Sequence, residues 1–329
     1  MAYTTIDDPS VYFQTTLYTG NGGTQSITNT GNSDLQPDWI WIKERNGTSD
    51  SAITDSVRGN TKIFTSNDKA AEGTSSDYIT AFNSDGFSTG QNNQINESNK
   101  THAAWQWKET ADAGFDMVLY TGNDTARTIS HSLSAVPKMM IIKCRNVGKE
   151  WTIFHASLGN GKFIELDQTT AVQTATNRWN DTSPTSSVFT VGVDSSVNAD
   201  TQTYIAYLFS EKKGYSKFES YTGNGNADGT FVYTGFSPSF VMRKRTDATA
   251  NWTIIDNKRD TFNLADAKLK PNLNEAENDD SSNGVDFLSN GFKTRTTDTE
   301  FNADGGTYIY MAFAENPFVT STGVPATAR

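Results

Sequence analysis

The sequence predicts an all-β protein built from three tandem antiparallel β-sandwich repeats of jelly-roll type, each of about one hundred residues, a usual domain size. Three observations lead there. A short apolar run opened by proline and closed by basic-x-Arg occurs three times. A Tyr-Thr-Gly-Asn tetrapeptide precedes each copy, and a Thr-initiated apolar run ending in Glu follows each one.

The apolar runs are residues 37–45 (PDWIWIKER), 137–145 (PKMMIIKCR) and 238–245 (PSFVMRKR). Each is shorter than a helix, opens on proline and carries β-branched or aromatic residues, so each reads as a central strand. The tetrapeptides begin at Tyr18, Tyr120 and Tyr221, 102 and then 101 residues apart. Phe87, Phe189 and Phe292 mark a later strand and turn in each copy; Asn96, Asn198 and Asn302 precede the closing strands, which end at Glu109, Glu211 and Glu315. So many landmarks in one order at one period establish a repeat. Solenoid and propeller repeats have periods of about 20–50 residues, so each of these longer units is expected to close its own core.

The composition agrees with thin β layers joined by polar turns: 35% of residues are hydrophobic and 12% aromatic, too aromatic for a disordered chain. No apolar run approaches the roughly 20 residues that cross a bilayer, and the start MAYTTIDDPS lacks a basic-then-apolar signal, so a soluble protein without an export address is expected. The net charge is -11. Seven basic residues stand against thirteen acidic ones in 1–110, nine against ten in 111–216 and eleven against fifteen in 217–329. A net acidic chain with no basic stripe argues against nucleic acid as a partner.

Taken in order, residues 1–16 form an N-terminal arm with Tyr12 and Phe13, open between docking on a neighbouring subunit and packing on its own first unit. Unit 1 covers 17–110. Its central strand alternates Trp39, Trp41, Lys43 and Arg45 against Ile40, Ile42 and Glu44, with the apolar part of both faces covered. Asp55 stands where unit 2 has His155 and unit 3 has Asp256. Residues 70–73 are expected to make one helical turn. Unit 2 covers 117–212 after the connector 110–116, and its segment WTIFHASLGNGKFIEL reads as two strands around a Gly-Asn-Gly turn. Unit 3 covers 218–316 after a hinge at 211–214. Its charged stretch 265–280 reads as a long surface loop, and 317–329 as an extended tail.

The chemistry-bearing residues point to architecture. His102, His131 and His155 fall at non-equivalent positions without metal-ligand spacing. There is no phosphate loop, no nucleophile elbow and no distinguished carboxylate pair, so no catalytic, cofactor-binding or metal residues are assigned. Cys144, the one cysteine, reads as a buried apolar side chain. The recurring Glu109, Glu211 and Glu315 are expected to pair with the basic strand exits Lys43/Arg45, Lys143/Arg145 and Arg243/Arg245. Those basic residues could otherwise bond Asp55 and Asp256, or offer guanidinium forks to an anionic glycan. The Asn-Ala-Asp stretches at 198–200, 226–228 and 302–304 offer oxygen ligands to calcium, or form Asx turns without any ion.

The opening AYTTIDDPSVYFQTTLYTGNG, the segments DLQPDWIWIKER and TAFNSDGFSTG, and the ending MAFAENPFVTSTGVPATAR together resemble virion-associated proteins of marine tailed bacteriophages. Those proteins are built from concanavalin A-like (lectin or laminin-G-like) β-sandwich repeats and are usually labelled tail-fibre or tail-associated. The resemblance covers essentially the whole chain. It implies a non-enzymatic structural protein of the virion, a homo-oligomer with other virion proteins as partners, and a trimer if it is a fibre. A tail adhesin would contact host glycans through loops or through a concave sheet with exposed Trp and Tyr. The alternatives are a capsid decoration protein and, more distantly, a polysaccharide depolymerase. The first unit departs from the others in having Ser51 near the place of Trp151 and Trp252.

Overall fold

A computed structural model describes residues 2–280 and 283–327. It is all-β, with 41% strand and 7% helix, and one strand arrangement occurs in it three times. The central strands are Trp39–Glu44, Met139–Cys144 and Phe236–Arg245. Each lies between a closing strand (Thr101–Trp107, Thr203–Phe209, Thr307–Pro317) and a hairpin partner (Ala52–Asp55, Thr152–His155, Trp252–Asp256), all antiparallel. The first strand of each unit, Phe13–Thr19, Phe115–Thr121 or Ser216–Thr222, pairs with the far side of its closing strand. Units 1 and 2 extend this sheet by Lys62–Thr65 with Gly73–Thr74 and by Lys162–Glu165 with Gln173–Thr174. The stretch expected to turn as a helix at 70–73 therefore leads into an edge strand. Unit 3 instead joins Leu269 to Ile254 by a single bridge.

A small antiparallel sheet covers the outer face of each large one: Gln25–Ile27, Phe87–Thr89 and Ile79–Phe82 in unit 1; Arg127–Ser130 and Val188–Val191 in unit 2; Phe231–Tyr233, Gly291–Thr294 and Val285–Leu288 in unit 3. Each unit is thus a sandwich with its own outer core, and Phe87, Phe189 and Phe292 are fully buried in these cores.

The inner faces make one core, not three. Trp39, Trp41, Trp105 and Trp107 of unit 1 join Ile141, Tyr207 and Phe209 of unit 2 and Phe240, Met242 and Phe313 of unit 3 in a single apolar cluster. Trp39 lies 4.5 Å from Trp107 in its own sheet and 4.9 Å from Tyr207 in the next; Phe13 stacks on Phe313 at 5.0 Å. The expectation of three separately closed domains is corrected. A strand apolar on both faces needs a second cover, and the small outer sheet supplies only one.

The chain ends complete the ring. Short hairpins link the units, with bridges Thr110 to Phe115 and Lys212 to Ser216. Gly114, at φ +74°, sits where a Cβ would be 2.5 Å from the Ser210 carbonyl oxygen. No such linker joins unit 3 back to unit 1, and the N-terminal arm takes that place. Tyr3 Oη donates to the Gly235 carbonyl (2.7 Å) and Thr4 Oγ1 to that of Lys213 (2.8 Å). Ile6 enters the shared core, and Asp7 accepts from the Ser321 amide (2.6 Å) in the C-terminal tail. The arm therefore packs on the third unit of its own chain and not on the first unit alone, and the first strand begins at Phe13, inside the expected arm. Among the described residues no helix is long and apolar enough to cross a membrane.

Candidate functional site

The tetrapeptide repeat is a latch. Tyr18, Tyr120 and Tyr221 stack on His102, Tyr204 and Tyr308 with centroids 5.0, 5.1 and 4.7 Å apart. Their hydroxyls donate to the carbonyls of Ile95, Val197 and Phe301 in the short helices Asn93–Asn96, Ser195–Asn198 and Thr299–Asn302. A Cβ on Gly20, Gly122 or Gly223 would collide with the backbone following those helices. The helix-ending Asn96, Asn198 and Asn302 are fully buried. Their Oδ1 atoms accept from the amides of Asn21, Asn123 and Asn224, and their Nδ2 atoms donate to loop carbonyls including those of Gly90, Gly192 and Thr296. The side-chain oxygens of Asn198 and Asn302 are thereby turned inward to backbone. Of the other oxygens considered for calcium, Asn226 Oδ1 accepts from the Asp228 amide (2.9 Å) and Asp228 pairs with Lys293 (2.5 Å).

The basic strand exits stitch the units together. Register places Lys43, Lys143 and Lys244 at one position, each buried, with Nζ donating to backbone carbonyls: Ser49, Lys69 and Thr169 among them. Burial brings each ammonium down to about 8. Arg45 and Arg145 then cross to Glu277 of unit 3 (2.6 Å) and Glu72 of unit 1 (2.9 Å). The same glutamates hold Arg259 and Arg58, which are bound to Asp256 (2.7 Å) and Asp55 (2.5 Å). Tyr207 Oη of unit 2 donates to Asp55 (2.7 Å), and Trp105 Nε1 of unit 1 donates to Asp256 (3.0 Å). The charged stretch around Glu277 is exposed at 274–276 and 278–280, as expected of a surface loop, but Glu277 itself makes an inter-unit contact. The expected pairing with Glu109, Glu211 and Glu315 does not occur. The closing strands run antiparallel to the central ones, so these glutamates lie at the opposite end of the sheet from the basic exits. Glu211 bonds Lys217 (3.1 Å) and Glu315 bonds Asn257 (3.0 Å). Glu109, accepting from the Met117 amide, is pushed up to about 7 by burial, with Asp116 and Asp38 adding to the effect.

Register also corrects unit 3. Arg243 takes the outward position of Ile42 and Ile142, not that of Lys43. It is buried over the Phe301 ring at 3.7 Å and donates to Thr253 Oγ1 (3.2 Å).

The interface between units 2 and 3 differs from the other two. His155, Leu158 and Val172 stand where the others have Asp, Arg and Glu, and Thr246 stands where they have the crossing Arg. The backbone bond from Val172 N to Thr246 O (2.9 Å) repeats those from Glu72 to Arg145 and Glu277 to Arg45. The unit 3 residue matching Tyr207 and Trp105 is Met311, which cannot donate. Here the His155 ring supplies the bond instead, Nε2 donating to the Tyr310 carbonyl (3.2 Å).

The three histidines do not converge. His102 is buried against Tyr18 and held down to about 4 by burial. His131 is in unit 2 beside Thr185. Asp260, Asp266 and Asp279 place carboxylate oxygens within 4.8 Å of one another, but Asp260 Oδ2 already accepts from the amides of Asp266 and Ala267. The Cys144 thiol is buried.

All seven tryptophans are at most 1% exposed, and each faces a core or an inter-unit contact. The central and closing strands of the large sheets are covered on both faces. Of the two contacts expected of a tail adhesin, loops or a concave sheet with exposed Trp and Tyr, the second finds no exposed Trp. Exposed rings occur instead on the outer sheet of unit 3, where Phe231 is 44% and Tyr233 52% exposed. Both lie on one face of Phe231–Tyr233, about 7 Å apart along the strand, at positions filled by Ser26 and Thr28 in unit 1 and by Thr128 and Ser130 in unit 2. Lys293 and then Asp286 continue the row beside Phe231, and Gly291 pairs with Tyr233, where a Cβ would come within 3.1 Å of the Phe231 ring. Asp228, Lys293, Arg295 and Asp286 form a chain of ion pairs along this edge. Tyr3 brings its hydroxyl to 3.4 Å from that of Tyr233. The sequence signal for this face was readable, since two aromatics replace Ser/Thr at alternate positions of an aligned repeat.

No curated protein matches the chain. A family model described as a domain of unknown function (DUF7483) matches residues 8–317, a span that takes in all three units, and the chain belongs to that family.

Proposed function

We propose that the protein is a non-enzymatic structural protein of a tailed-bacteriophage virion, a tail-fibre or tail-associated adhesin whose unit 3 outer face contacts host surface glycan. The observation that carries this reading is the asymmetry of the three outer sheets. Two present Ser and Thr where the third presents Phe231 and Tyr233, flanked by Lys293 and Asp286. Aromatic faces stack on the apolar faces of sugar rings, while charged and hydroxyl groups beside them hydrogen-bond the hydroxyls. The recurring Tyr, Asn, Lys and Arg landmarks are occupied in holding the fold, which is the pattern of a scaffold rather than of a catalyst.

A capsid decoration role is the second reading, and one observation favours it. Three equivalent units already surround one core within a single chain, a shape suited to a threefold position on a shell. Because the N-terminal arm closes its own ring, a homo-oligomer in the particle would form through unit faces and not through arm exchange.

The double variant Phe231→Ala/Tyr233→Ala tests the adhesin reading. Both side chains are exposed, so stability should stay within about 0.5 kcal/mol, while binding to host envelope polysaccharide is lost. Undiminished binding refutes the assigned face, and labelling on the capsid shell refutes the tail location.

A further inference from the structure

We infer that the junction of units 2 and 3 is a binding cleft for a small hydroxylated carboxylate, with the chemistry of a uronic acid residue. This site is separate from the unit 3 outer face and does not rest on the glycan-adhesion reading. A cavity of about 390 Å³ lies here, lined by Leu158, Val172, Lys162, Ser157, Ser220 and Asp247 among others. That volume is within the range of about 300–1,000 Å³ usual for small-molecule sites.

The cleft has a cause in the sequence. At the other two junctions the corresponding space holds a guanidinium, a carboxylate and a second guanidinium: Arg58, Glu72 and Arg145, or Arg259, Glu277 and Arg45. Leu158, Val172 and Thr246 are all shorter or uncharged, so the plug is missing. The cation beside it is kept. In unit 1, Lys62 Nζ lies 3.8 Å from the Glu72 carboxylate. Lys162 occupies the same place in the aligned strand, pairing with Thr174 as Lys62 pairs with Thr74, and it makes no ion pair among the described residues. Lys162 is thus an ammonium whose carboxylate has been deleted from the chain.

A ligand carboxylate would take the position of the missing glutamate. The apolar face of a sugar ring would lie on Leu158 and Val172, with its hydroxyls toward Ser157, Ser220 and Asp247. The Asp247 carboxylate is held by Arg245 (3.0 Å) and by the Thr307 amide (3.0 Å), so it is fixed as an acceptor on the rim.

The test is an NMR titration of the full chain with sodium glucuronate, following the methyl signals of Leu158 and Val172, with glucose as the neutral comparator. Saturable shifts with glucuronate, much weaker shifts with glucose and a loss of at least about tenfold in Lys162→Ala are expected, as for removal of a charged hydrogen bond. Lys162 is exposed, so this variant should fold normally. The triple variant Leu158→Arg/Val172→Glu/Thr246→Arg should refill the cleft and abolish the shifts, while Phe231→Ala/Tyr233→Ala should leave them unchanged. No saturable shift, equal binding of glucose, or full binding by Lys162→Ala overturns the proposal.

Discussion

Two ways of joining the same pair of surfaces coexist in this molecule. At the junctions of unit 1 with unit 2 and of unit 3 with unit 1, a buried Asp-Arg pair extends through a Glu to a crossing Arg. At the junction of unit 2 with unit 3, His155, Leu158, Val172 and Thr246 replace the whole set. The replacements are mutually consistent. Where the partner sheet presents Tyr207 or Trp105, an acceptor carboxylate waits for its proton; where it presents Met311, the acceptor is gone and an imidazole turns to the backbone. A buried ionic network is therefore one solution to this contact rather than a requirement of the fold.

The largest difference should appear on deleting one member of an ionic junction. Asp55→Ala leaves Arg58, whose side chain is 0% exposed, without its nearest carboxylate, and also strands the Tyr207 hydroxyl. We expect a loss of about 3–5 kcal/mol, read as a shift in urea midpoint. Leu158→Ala at the apolar junction removes a half-buried side chain and should cost about 1 kcal/mol. Equal costs would mean that the two junctions are not held differently.

A second, smaller effect is confined to the junction that carries histidine. His155 Nε2 donates to Tyr310 and Nδ1 accepts from the Ser157 amide (3.3 Å), so the fold uses the neutral ring. Burial holds the imidazole down to about 4, against an ordinary value near 6.5. Between these values the unfolded chain binds a proton that the folded chain refuses. Stability from this group is complete above about pH 6.5 and is lost as pH falls through about 4. His155→Gln keeps a donor for Tyr310 without titrating, so its stability curve should separate from that of the parent protein by about 2–3 kcal/mol over this interval. His102 is also held down by burial, but it is present in both proteins and cancels. Parallel curves would show that His155 is not buried as a neutral ring.

Much of this was legible in the chain. The triplication, the central strands, the two-strand reading of the unit 2 hairpin and the burial of Cys144 follow from spacing and apolar pattern, and all have a place in the fold. The shared core was not read, although its signal was present: Trp39 and Trp41 on one face and Ile40 and Ile42 on the other leave a strand with no solvent side. The basic-x-Arg pattern, aligned by residue type, puts Arg243 at the place of Lys43 and Lys143, one residue out of the observed register. Counting six residues from each proline would have aligned Lys244 with Lys43 and Lys143 and left Arg243 in the outer core. The inter-unit bridges were invisible for another reason, since nothing local in the sequence tells Arg45 that its partner is Glu277, 232 residues away. The exposed Phe231 and Tyr233 flank the buried Val232, an alternation that fits any half-covered strand, while the tryptophans are all taken by the core.

The smallest net effect should come from the largest change. Transplanting the apolar solution into the first ionic junction requires Asp55→His, Arg58→Leu, Glu72→Val, Arg145→Thr and Tyr207→Met together, the set already found between units 2 and 3. Each charge that is removed alone leaves a buried partner uncompensated, whereas removing all of them leaves only the partly exposed Lys62 without its carboxylate. The imidazole introduced by Asp55→His would also find a backbone carbonyl next to position 207, as His155 finds that of Tyr310 next to Met311. We therefore expect the fivefold variant to lie within about 1 kcal/mol of the parent protein in urea unfolding while Asp55→Ala alone loses several times that, a non-additivity of the kind that residues sharing one network show. Losses in the fivefold variant that approach the sum of its single steps would mean that the two solutions are not interchangeable and that the ionic junctions are fixed by something outside these five positions.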